Sequence, residues 1–324
     1  MSRALNDAPR RARWRRLLPI VGVCLLAWVL SRLDLAQLAR ALARVSPLTI
    51  AISCAWFSAN LWLKVWRWQR LLAAQGIVLP HRIALATFMS AQFYAQVTVG
   101  RVGEFVRIEA LTERGIGAGT ALSSCVFDRL LDVFLVLFAG SVLGAFVLGR
   151  ARAALTAALL LVVLAAVAML LLQIFARKAA EDDARWVEHR PFVARALRML
   201  RELARGITPM LRARVLVEAI GWTVLAWSGY FAALFALADG LHLLASHVLL
   251  VATASFAALS ALLPVTISGL GARELIYIEV LRGHGVPAES AVALSLLHLT
   301  VMSICAIALG LFGVLARLRQ RRRS

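Results

Sequence analysis

The chain has 324 residues, is 61% hydrophobic, and carries a mean hydropathy of +0.81 and a formal charge of +19. Several apolar runs approach the roughly 20 residues that a helix needs to cross a bilayer. This excludes a soluble globular domain and predicts an all-α, polytopic integral membrane protein that forms one transmembrane domain over residues 1–324. In a soluble chain the charge would suggest nucleic acid. Here the arginines stand in loops beside apolar runs, where they orient the chain and meet anionic lipid, so no nucleic-acid partner is expected.

About six full spans are expected, near Leu17 to Leu30, Pro47 to Leu63, Ala121 to Leu148, Ala153 to Phe175, Val215 to Leu237 and Ala291 to Leu315. The first follows Arg10, Arg11, Arg13, Arg15 and Arg16 and resembles a secretory leader. Ser31-Arg32-Leu33-Asp34 supplies no small-residue cleavage site, so an uncleaved anchor is expected. At the end of the second span, Lys64, Trp66, Arg67, Trp68 and Arg70 read as an aromatic and basic interfacial belt. Cys24, Cys54, Cys125 and Cys305 all fall in apolar runs without metal-ligand spacing and read as small buried residues.

Two segments between the spans, about Ile83 to Thr112 and Val248 to Arg282, are interrupted by glycine and charge. Each reads as a re-entrant helical hairpin, because irregular backbone is tolerated at membrane depth only inside protein or beside a water-filled cavity. The hairpins head an internal repeat. Shifted by 170 positions (274 minus 104), the chain matches itself at Glu104/Glu274, Ile108/Ile278, Glu109/Glu279, Leu111/Leu281, Gly115/Gly285, Ala118/Ala288, Ala121/Ala291 and Gly140/Gly310. Repeat 1 is placed at residues 83–148 and repeat 2 at 248–315.

With this layout, 28 of the 36 Lys and Arg collect on one face and seven on the other, with Arg129 left inside a span. The positive-inside rule then puts both termini in the cytoplasm of a bacterial inner membrane. The first hairpin would open from the cytoplasm and the second from the outer side, giving repeats of inverted topology, a design that builds transport pathways at the repeat interface. The cytoplasmic loop at 176–214 sets Phe192, Leu200, Leu203, Ile207 and Met210 among arginines, as an amphipathic interfacial helix would.

Three constellations carry the candidate chemistry. In GRVGEFVR, Gly100 and Gly103 allow a tight reversal, while Arg101, Glu104 and Arg107 surround it with charge suited to a phosphate headgroup or to mutual neutralisation. In SGLGARELIYIE, Gly269 and Gly271 form the second hinge after Pro264, with Arg273 and Glu274 behind it. Asp128, Arg129 and Asp132 lie within a span, where charge costs about 2.5–3.5 kcal/mol and must face a cavity or a partner. The two aspartates share a face and suit a proton or cation site, or an ion pair holding Arg129; the second copy has His298 opposite Asp128. Gln92, Tyr94, Gln96 and Thr98 add a polar wall. No metal site and no cofactor is expected.

VGRVGEFVRIEALTERG with Asp128-Arg129 and Asp132, together with LLPVTISGLGARELIYIEVLRGHGV, resembles the transmembrane region of lysylphosphatidylglycerol synthases and their stand-alone relatives, from about Leu18 to Leu315. The resemblance implies a flippase-like domain without the aminoacyl-transferase domain. It implies lipids with anionic headgroups, or polyprenyl- and hopanoid-type lipids, as partners. It points to Arg101, Glu104, Arg107, Asp128, Arg129, Arg273 and Glu274 as working residues. The expected function is non-enzymatic movement of an amphiphilic lipid between leaflets. A membrane-embedded lipid or glycolipid transferase, or an accessory subunit partnering lipid-synthesis enzymes, is the alternative.

Overall fold

A computed structural model describes residues 24–98, 103–181, 199, 201–260 and 269–321. Those residues are helical with no strand among them. In chain order the helices are α1 (24–31), α2 (Leu35–Arg44), α3 (Pro47–Ala74), α4 (His81–Val97), α5 (Val106–Thr112), α6 (Ala118–Val147), α7 (Ala151–Glu181), α8 (201–207), α9 (Ala213–Gly240), α10 (His247–Ser260), α11 (Ala272–Arg282) and α12 (Ala288–Arg321). A 3-10 turn at Thr208–Leu211 joins α8 to α9.

Five helices, α3, α6, α7, α9 and α12, are long and apolar enough to cross a membrane. They coincide with five of the six expected spans; most of the sixth, Leu17 to Leu30, lies outside the described residues. α3 runs eleven residues past the expected end at Leu63, because nothing in Lys64 to Ala74 breaks a helix. It starts at an Ser46 cap whose Oγ accepts from the Thr49 amide at 3.1 Å, with Pro47 in the first turn, and ends before Gly76, which adopts a positive φ of 79°.

Within the described residues each expected hairpin contains two helices, α4 and α5 in the first and α10 and α11 in the second; residues 99–102 and 261–268 lie outside the described set. α10 has 14 residues and α11 has 11, or about 21 and 17 Å at 1.5 Å per residue, against roughly 30 Å of hydrocarbon. Their described lengths fall short of that thickness. The turns that follow the second arms are drawn twice: the Ile116 amide donates to the Leu111 carbonyl and the Val286 amide to the Leu281 carbonyl. Gly115 and Gly285 hold φ of 80° and 79° there, the left-handed geometry that closes a helix end.

The correspondence reaches further back than residue matching does. α3 and α4 begin 166 positions before α9 and α10 (213 minus 47, 247 minus 81), whereas α6 begins 170 before α12 (288 minus 118). The two halves exchange partners: α3 packs on α9, α4 on α12 and α10 on α6. Small side chains permit these approaches, and on α10 Ala252, Thr253, Ala254, Ser255, Ala257 and Ser260 are all buried. α7 packs on α6 with most of its apolar surface outward, as lipid requires.

Two expectations change. The described part of the 176–214 loop, which includes the end of α7 and α8, is helical, and Ile207 and Met210 bury themselves against Leu71, Phe127 and Leu131. The described part of that face therefore docks on protein; residues 182–198 and 200, Phe192 and Leu200 among them, lie outside the described set. Cys125 and Cys305 are buried and Cys54 is half-buried, but Cys24 is exposed at the outside of the bundle.

Candidate functional site

The site forms where α3, α5 and α6 meet. Asp128 and Asp132, one turn apart on α6, face Lys64 and Arg67, one turn apart on α3. The Arg67 guanidinium, wholly buried, spans both carboxylates, with NH2 2.7 Å from Asp128 Oδ1 and NH1 2.7 Å from Asp132 Oδ1. It also donates to Thr223 Oγ1 at 2.9 Å and to the Asp128 carbonyl at 3.2 Å. Lys64 Nζ reaches Asp132 Oδ2 at 3.0 Å, and the Trp227 indole N–H donates to Asp132 Oδ1 at 2.9 Å. Arg107 completes the cluster, its NH1 2.9 Å from Asp128 Oδ2 and its guanidinium over the rings of Trp68 and Phe88.

The aspartates thus hold Arg67, Lys64 and Arg107, and Arg129 turns to Glu104 instead. On a helix, residue 129 points about 100° away from 128, so Arg129 leaves the face its neighbours share. Glu104 lies 3.9 Å from Arg107, a looser contact than Arg107 makes with Asp128, so the i,i+3 pair is one edge of a larger network. The 3-10 turn that carries Glu104 presses on α4 so closely that a Cβ at Gly103 would collide with the Tyr94 backbone.

The second half has a smaller counterpart. The Arg273 Nε donates to Ser295 Oγ at 3.1 Å and NH2 to His298 Nδ1 at 2.9 Å. Ser295 in turn donates to Glu274 Oε1 at 2.9 Å, and the Gly271 amide donates to Glu274 Oε2 at 2.6 Å. Gly269 and Gly271, at φ of 82° and 85°, make the turn that presents this arginine and glutamate. Arginine 273 therefore bonds the residue matching Asp128, as Arg107 does in the first half. Gly100, Arg101 and Pro264 lie outside the described residues.

Between the clusters lies a cavity of about 80 Å³, room for several water molecules. Lys64, Arg129 and Arg273 line it, with Asn60, Gln92 and Gln96. Trp227 and Tyr230 of α9 form its wall, their ring centroids 4.7 Å apart. Trp227 bonds the first cluster and Tyr230 packs at 4.7 Å on His298 of the second. The two charged sites are thus joined through one aromatic pair.

The belt reading of α3 divides by helix face. Trp62, Trp66 and Arg70 are exposed, and Trp66 stacks on His81 at 4.7 Å, as an interfacial girdle would. Lys64, Arg67 and Trp68 turn inward. A legible signal was present: cations spaced i,i+3 on one apolar helix and carboxylates spaced i,i+4 on another are complementary. Thr223, Trp227 and Ser295 had no such signal.

The model of the lysylphosphatidylglycerol synthase transmembrane region matches residues 17–316. The chain belongs to that family. The matched length takes in both charged sites and every described helix that lines the cavity. No curated protein matches the chain. Family and fold together make this a multi-pass helical membrane domain of lipid-related proteins.

Proposed function

We propose that this protein moves an amphiphilic lipid between the leaflets of a bacterial inner membrane, with its termini in the cytoplasm. The headgroup passes through the central cavity while the chains stay in lipid. The observation that carries the reading is a cavity lined by Lys64, Arg129 and Arg273 in the middle of an apolar bundle. Among the described residues around it, Lys64, Arg67, Arg107, Arg129 and Arg273 face Glu104, Asp128, Asp132 and Glu274, a formal excess of one positive charge. Placing charge at membrane depth is costly, and a pathway is the usual reason to keep it. An anionic headgroup, such as a phosphate, satisfies that excess by charge-assisted hydrogen bonds.

Inverted re-entrant repeats supply the motion. The partner exchange of α4 with α12 and α10 with α6 supports two halves that rock against each other about the α3–α9 contact. In this mechanism Arg129 and Arg273 take the headgroup alternately, Glu104 holding Arg129 directly and Glu274 holding Arg273 through Ser295 between turnovers. The test is translocation in proteoliposomes of headgroup-labelled lipids of several classes, read with a leaflet-specific quencher. Wild type moves at least one class, and folded Glu104→Gln and Glu274→Gln each slow it at least tenfold. A well-folded wild type that moves no class overturns the reading.

A further inference from the structure

Outside the central cavity, each half carries a lateral groove at the same place in the repeat. In the first half it lies between α4, α5 and the end of α12, encloses about 290 Å³, and is lined by Ser90, Tyr94, Glu109 and Arg317 among others. In the second half it lies between α10 and α11, encloses about 560 Å³, and is lined by Phe256, Leu259, Leu275, Ile276, Glu279 and Val280. Val106 and Glu109 of the first correspond to Ile276 and Glu279 of the second, 170 positions on.

The grooves differ in their charge. The first contains the chain's own cation: Arg317 stands in it beside Glu109, 3.7 Å from Glu113 and 3.5 Å from Ser90 Oγ. In the second half the position matching Arg317 is Val147, and the position matching Val314 is Gly144, on which the Phe256 ring rests. Among the described residues no guanidinium lines that groove. Glu279 is exposed at the rim of an otherwise apolar groove, and among the described residues it forms no ion pair, Arg282 one turn along included. The groove opens on the outside of the bundle, and Glu279 stands one turn from the end of α11, where the chain turns.

We propose that this groove binds a lipid with an ammonium headgroup, the ammonium meeting Glu279 and a hydrocarbon chain lying along Phe256, Leu275 and Ile276. The lipid's cation takes in the second half the part that Arg317 plays in the first. The carboxylate selects the headgroup and the apolar floor requires the chain.

The test is native mass spectrometry of the full-length protein, comparing retention of phosphatidylethanolamine and phosphatidylglycerol with identical chains. Wild type retains phosphatidylethanolamine at least about fivefold better. Glu279→Gln, a conservative change at an exposed position, removes that preference, and Ile276→Trp, which fills the groove, lowers retention of the bound lipid at least fivefold. Glycerophosphoethanolamine, with the ammonium but no chains, does not compete at equal concentration. Equal retention in wild type, a preference that survives Glu279→Gln, unchanged retention in Ile276→Trp, or competition by the soluble amine would each overturn the site. Since the readout is binding, the site stands if the protein translocates nothing, and transport stands if the site fails.

Discussion

Replacing Arg67 tests the central claim about the buried charges, because sequence reading and structure assign that residue opposite places. At the membrane interface, Arg67→Met would cost little; surface changes usually stay within about 0.5 kcal/mol. In the structure the guanidinium is wholly buried and spans Asp128 and Asp132 at 2.7 Å each, with Thr223 as a third partner. Methionine fills much of the volume but leaves two buried carboxylates with less compensation. Arg107 remains on Asp128, and Lys64 and Trp227 remain on Asp132. Breaking a buried pair by removing one partner costs about 3–5 kcal/mol, a large share of a typical total of about 5–15 kcal/mol.

The assay is thermal unfolding of purified protein in a fixed detergent, followed by monodispersity, with Arg70→Met beside it. Arg70 stands three residues on, and is exposed. At about 2 °C per kcal/mol for a large domain, Arg67→Met should melt at least about 6 °C below wild type and Arg70→Met within about 1 °C. Arg67→Lys should fall between, because an ammonium is a point charge and cannot fork across two carboxylates. An Arg67→Met protein that melts within about 2 °C of wild type would refute the bridging argument.

Lys64→Met and Arg129→Met, which remove cavity cations, should each slow translocation of an anionic lipid at least tenfold while a zwitterionic lipid loses less; the quencher assay on matched headgroups checks this. Ser295→Ala deletes the hydroxyl that both Arg273 and Glu274 bond. Leaving those buried groups short of a partner costs about 1–3 kcal/mol, visible as a fall of at least about 2 °C in the same melting assay.

The spans were legible because hydropathy and length act locally, and α3, α6, α7, α9 and α12 follow them. The second hinge was legible too, since Gly269 and Gly271 announce a turn by sequence and adopt φ of 82° and 85° there; Gly100 and Pro264 lie outside the described residues. What sequence reading could not fix was which helix faces which. Asp128 and Asp132 were visible as charges that need partners, but the partners sit 61 to 68 residues away on α3, and only the packing of α3 on α6 chooses them. Arg67 was misplaced for the same reason: beside Trp66 and Arg70 it reads as interface, and the 100° step of the helix separates it from Trp66, while Arg70, about 60° round from it, stays exposed. The extent of the repeat was hidden because α3 and α9 share position and packing but little residue identity, and their offset of 166 differs from the 170 that the matched residues obey.

The exchange of helices between the halves is not equally tight on its two sides, and this bears on where the protein can move. On α12, a Cβ at Gly313 would lie 2.6 Å from the Ser90 amide nitrogen and 2.7 Å from the Ala86 carbonyl oxygen of α4, so backbone meets backbone. On α6, a Cβ at Gly144 would meet only the Phe256 ring of α10, at 3.1 and 3.3 Å. A ring can tilt about its own torsions, whereas backbone in a packed helix yields only by moving the helix. Gly313→Ala should therefore cost about 1–3 kcal/mol as overpacking and disturb the α4–α12 contact, while Gly144→Ala is absorbed with a melting change of under about 2 °C. The α6–α10 contact is then the joint that slides and α4–α12 the one that holds, so a cysteine pair across α6 and α10 should block translocation when cross-linked and one across α4 and α12 should not. The reverse pattern would make α4–α12 the moving joint.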